Sequence, residues 1–75
     1  MNKARREEIA RLITEAEELK GMIESIREEE QEYYDNMPES LQQGERGQNA
    51  ESAVSELEDA IDAMDNVICS LGSIE

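Results

Sequence analysis

Histidine, tryptophan and phenylalanine are absent from this 75-residue chain, which has one cysteine, one proline and two tyrosines. Without imidazole, and with Cys69 as the sole thiol, it has no imidazole acid–base group, no Cys–His nucleophile and no structural zinc set. No enzymatic activity, cofactor or metal is expected. A disulfide framework is equally excluded, and no apolar run approaches the length of a membrane span. The segment MNKARREE has charge but no hydrophobic stretch behind it, so neither a signal peptide nor an anchor is expected and the cytoplasm is the expected location.

Positive charge is scarce beyond the first third. Residues 1–27 balance six basic against six acidic residues, whereas residues 28–75 hold fourteen acids and only Arg46, so the whole net charge of -13 lies after Arg27. Such a field repels nucleic-acid phosphates and anionic membranes, and it suits a basic protein partner. Direct nucleic-acid and membrane binding are not expected.

Apolar periodicity carries the fold. Ile9, Leu12, Ala16, Leu19, Ile23 and Ile26 alternate spacings of three and four and continue through Glu30 and Tyr33 to Met37, which is a heptad seam. This predicts a first helix from about residue 3 to 34, with Asn2 as N-cap and Gly21 on its outer face. The stretch DNMPESLQQGERGQN then predicts a connection over about 35–48. Within it, Asn36 and Glu39 read as a capping box, Pro38 sits in the first turn, and Leu41 is expected to tuck inward.

A second helix is expected from about 49 to 71, repeating Ala50, Val54, Leu57, Ile61, Met64, Ile68 and Leu71, with Gly72 as its C-cap. Beside that seam runs a row at sevenfold spacing, Ala53, Ala60, Val67 and Ile74. A helix of about 22 residues would span roughly 33 Å and leave Ile9 and Leu12 overhanging. The expectation is one all-α unit, an antiparallel helical hairpin with a short helical turn in its connection, that self-associates into a bundle as a dimer or higher homo-oligomer. The expected oligomer seam comprises Ile9, Leu12, Ile23 and Ile26 on the first helix. On the second it comprises Val54, Leu57, Ile61, Met64 and Ile68.

Two constellations are candidates for binding. Glu51, Glu58, Asp59, Asp62 and Asp65 occupy one flank of the second helix, either as a solvated face or as a ladder of charge that occupies a basic groove on a partner protein. Tyr33, Tyr34 and Arg46 bracket the connection. They form packing under the loop, or a nucleotide pocket in which a Tyr stacks a base and Arg46 pairs a phosphate. Arg5, Arg6 and Arg11 either neutralise Asp59, Asp62 and Asp65 of the second helix or line a cavity between subunits. Glu30, on an inward position, either sits at a frayed edge or meets Arg27 or another chain's Arg and sets register. Cys69 stands off the seam.

The string YYDNMPESLQQGERG and the acidic helix AVSELEDAIDAMD resemble small uncharacterised helical proteins encoded by bacteriophages and prophages of Gram-positive bacteria. The resemblance implies an accessory protein working in an infected cell, with no assigned site residues to transfer. Together these features predict a non-enzymatic protein that acts by stoichiometric binding, inhibiting a host or defence protein through its acidic face. Two other readings are an oligomeric sponge for a small cyclic nucleotide signal and a purely structural assembly factor.

Overall fold

The computed structural model describes residues 1–75 as three helices and no strand: α1 spans Lys3–Asp35, α2 Glu39–Gln42 and α3 Glu45–Gly72. The two long helices pack along each other, giving a rod of 58 × 14 × 12 Å. No helix is long and apolar enough to cross a membrane. The Asn2 side chain caps α1 by accepting from the Arg5 backbone N–H at 2.8 Å. The first turn of α1 has no acid and its last turn no base. Lys3, Arg5 and Arg6 at its start and Glu32 and Asp35 at its end therefore oppose the helix dipole, and α1 depends on its cap and its packing.

The connection is shorter than the expected 35–48, because α3 starts at Glu45 rather than near 49. Gly44 is its N-cap, Glu45 places a carboxylate in the first turn where the dipole favours it, and Gly47 is buried inside the helix. A Cβ on Gly47 would lie 2.0 Å from the Gln42 carbonyl oxygen. Glycine therefore lets α3 begin directly against the end of α2. The capping box is not formed: Asn36 is the C-cap of α1, and Pro38 precedes α2 with no side-chain cap bond. Leu41 is 43% exposed rather than tucked inward, because α2 is a single turn of four residues whose contacts are with α3. Instead, Gln42 Nε2 donates to the Tyr34 carbonyl at 2.9 Å and ties the turn to α1.

Gly72 remains helical and the cap is Ser73, at φ -84°; no glycine has positive φ. The Ser73 N–H and hydroxyl both reach the Cys69 carbonyl, so the end is satisfied without a left-handed residue. Because α3 has 28 residues, Ile9 does not overhang. It shares a groove with Leu71 and Ile74.

On α3 the expected seam faces inward: Val54 is buried, and Leu57, Ile61, Met64 and Ile68 are half-buried. On α1 the seam is rotated. Ile9, Ala16, Ile23 and Glu30 do turn inward, as does Met37 just past the helix end, but their companions are Ile13, Lys20, Arg27 and Tyr34, each buried or half-buried. Leu12, Leu19, Ile26 and Tyr33 are 40–53% exposed. Charge decides between the two rows. The seam of α3 is flanked by Glu51, Glu58 and Asp65, and only the row with Lys20, Arg27 and Tyr34 brings cations and a hydroxyl to them while laying its aliphatic stems over the seam.

Only Ala16, Ala50 and Val54 are buried hydrophobics, and no large side chain is fully buried. Two helices present too little surface to enclose a core between them.

Candidate functional site

Lys20, Arg27 and Tyr34 stand seven residues apart on α1, and each meets an acid seven residues further back on α3. Lys20 Nζ lies 2.7 Å from Asp65 Oδ1, and Arg27 Nη2 lies 3.8 Å from a Glu58 oxygen. Tyr34 and Glu51 border a common groove on the same side. The Asp65 carboxylate, through its hydrogen bond, holds the Lys20 ammonium above its usual 10.5, with desolvation opposing it and the charges of Asp65, Glu24 and Glu17 adding to it. The neighbouring Glu51 carboxylate raises the Tyr34 phenol above its usual 10.0 chiefly by favouring the protonated hydroxyl, and desolvation and charge repulsion act in the same direction. This polar ladder fills one side of the helix pair. Three of the five acids expected on the α3 flank are thus engaged, and Asp59 and Asp62 form no ion pair.

Between the ladder's rungs lies an open groove of about 250 Å³, bordered by Glu24, Glu28, Glu58, Asp62, Arg27 and Ile61. Four carboxylates from two helices therefore surround a single guanidinium. Arg27 Nε is buried without a hydrogen-bond partner, and its link to Glu58 is long. Arg27 is thus only partly satisfied, and the groove keeps negative character. Arg27 pairs with Glu58 of α3 and forms no ion pair with Glu30, which is half-buried on α1.

The remaining candidates are dispersed. Arg11 pairs with Glu8 one turn away on its own helix, and Arg5 and Arg6 form no ion pair; of the α3 acids expected for them, Asp65 is taken by Lys20 and Asp59 and Asp62 form no ion pair. They lie at the rod end where Arg6 lines a groove with Leu71 and Ile74. Arg46, exposed in the first turn of α3, is at the other end with Tyr33 and Tyr34. From Arg6 to Tyr34 along one helix is roughly 42 Å, so one chain does not gather these cations around one ligand. Tyr34 is half-buried against α3, leaving Tyr33, 50% exposed, as the one open aromatic ring. Cys69 is a free, exposed thiol. No group of three or more Cys, Asp or Glu side chains is arranged to hold a metal ion.

Lys20 was the residue that pattern reading passed over, since a charged residue at a heptad flank normally reads as solvated. Its signal was present: Lys20, Arg27 and Tyr34 repeat at seven, as do Asp65, Glu58 and Glu51.

The fold and its surfaces define an all-helical protein with one acidic flank. No protein-family model, curated protein or solved structure matches the chain.

Proposed function

We propose that this protein is a non-enzymatic binder whose unit is an antiparallel helical hairpin and whose acidic groove takes up cationic side chains of a basic protein. It blocks that surface stoichiometrically. The observation that supports this reading most is the groove of Glu24, Glu28, Glu58 and Asp62, drawn from both long helices around one incompletely satisfied Arg27. A partner's Lys or Arg entering it meets four carboxylates at once, and the field of a chain with net charge -13 steers the encounter. The accessory role implied by the phage-type resemblance is compatible with such blocking.

The test uses a fluorescent oligoarginine peptide and anisotropy. Binding should weaken at least about tenfold between 50 and 300 mM salt, as screening shortens the reach of the field. Glu28→Gln with Asp62→Asn should weaken it further, and more than the charge-matched pair Glu7→Gln with Glu18→Gln outside the groove. Equal losses for the two pairs would reduce the effect to net charge and refute a groove.

A further inference from the structure

The side of the helix pair opposite the polar ladder is apolar along its length. Leu12, Leu19, Ile26 and Tyr33 lie one residue before the α1 seam positions Ile13, Lys20, Arg27 and Tyr34. Ala53, Ala60, Val67 and Ile74 lie one residue before the α3 seam positions Val54, Ile61 and Ile68 and their sevenfold continuation. Contacts from Lys20 to Asp65 and from Arg27 to Glu58 show that the helices run in opposite directions. Antiparallel helices are related by a local two-fold axis, so equivalent heptad rows fall on the same side. The two rows therefore form one face. Its large members are 40–53% exposed, with Val67 at 44% and Ile74 at 46%.

We propose that this face is the contact surface for a second copy of the chain. Three observations select that occupant. The first is extent: Leu12 to Tyr33 covers roughly 32 Å of helix and two helices are roughly 20 Å across. A face of on the order of 600 Å² in projection on each copy reaches, once its relief is counted, the ~1,200–2,000 Å² total of a stable specific interface. The second is shape. All four residues of the α1 row are large, whereas in the α3 row only Val67 and Ile74 are, and Ala53 and Ala60 leave a trough beside Ile26 and Tyr33. One copy thus carries both a ridge and a recess, as a self-complementary two-fold contact requires. The third is need, because each copy alone buries only Ala16, Ala50 and Val54 as hydrophobics. A second copy laid on this face completes a four-helix core from Leu19, Ile26 and Val67 and leaves both acidic grooves outward.

Self-association and groove binding respond to salt with opposite signs, which keeps their tests apart. Two chains of net charge -13 repel, so salt strengthens the dimer by screening while it weakens capture of a basic partner. Sedimentation equilibrium should give twice the 8.5 kDa chain mass at tens of micromolar, with a dissociation constant that falls as salt rises. Leu19→Ala with Ile26→Ala, which keeps strong helix formers, should raise that constant at least about tenfold. Leu19→Glu with Ile26→Glu should give monomers, whereas Ser25→Glu with Ser52→Glu, equal in charge and off the face, should leave the dimer mass unchanged. A wild-type chain that stays monomeric at several hundred micromolar would assign the face to a different protein and overturn the proposal. So would a dimer indifferent to the Leu19 and Ile26 changes.

Discussion

Two glycine-to-alanine substitutions should act in opposite directions, and the contrast isolates what holds α3 to the connection. In a helix interior alanine is favoured over glycine by about 1 kcal/mol, since glycine loses more backbone freedom on folding. At Gly21 nothing lies within 4 Å of the added Cβ, so the full gain is expected, about 0.5–1 kcal/mol. At Gly47 the Cβ would stand 2.0 Å from the Gln42 carbonyl oxygen and 2.4 Å from its carbon. These are backbone atoms, and they cannot rotate away as a side chain would. Moving Gln42 also strains its bond to the Tyr34 carbonyl. Overpacking of this kind costs about 1–3 kcal/mol, and a contact this close belongs at the upper end. After the helix gain is subtracted, Gly47→Ala should destabilise by about 1–2 kcal/mol. At roughly 4–8 °C per kcal/mol for a chain of this size, Tm should fall by roughly 5–15 °C for Gly47→Ala and rise by several degrees for Gly21→Ala. Thermal circular dichroism reads both, at one protein concentration because association would make Tm concentration-dependent. A Gly47→Ala protein as stable as Gly21→Ala would refute the close approach of α2 to α3.

Further outcomes concern the ladder and the cap. The raised Lys20 and Tyr34 values mean that both groups hold their protons more tightly folded than unfolded. Their contribution is complete below about pH 10 and is lost as pH rises through the folded values. Urea titrations from pH 9 to 12 should show falling stability, with a shallower fall in Lys20→Met with Tyr34→Phe; an identical slope in that variant would remove the ladder from the alkaline response. Asn2→Ala removes the bond to the Arg5 N–H and should cost about 1 kcal/mol. Amide exchange should quicken at Arg5 and Arg6 in that variant, and unchanged protection there would show that the cap is not needed.

The helical character and the inward face of α3 were legible because Val54, Leu57, Ile61, Met64 and Ile68 give one unambiguous stripe. The rotation of α1 was not, for a physical reason. Leu12, Leu19 and Ile26 are a better apolar row than Ile13, Lys20 and Arg27, so hydrophobicity alone points the wrong way. The orientation depends on where α3 carries its acids, which is a property of the pair of helices. The early start of α3 was hidden for a similar reason. Gly47 reads as a loop residue until Gln42 is seen pressed against it. For the acidic groove, the acids of α3 could be read along one flank, but Glu24 and Glu28 joined it only through the rotation of α1.

A sevenfold ladder has a consequence for how the chain finds its alignment. Every rung repeats at the heptad, so sliding α3 by one heptad would still set Lys20 against Glu58 and Arg27 against Glu51, and the charges alone tolerate the shift. The stop is mechanical: Gln42 bound to Tyr34 on one side and abutting Gly47 on the other leaves no slack between α1 and α3. The connection is therefore the clasp of a ruler whose marks are all alike. Lengthening it would release not one misaligned partner but a family of offsets, including exchange of α3 between chains, each with most of its ion pairs intact.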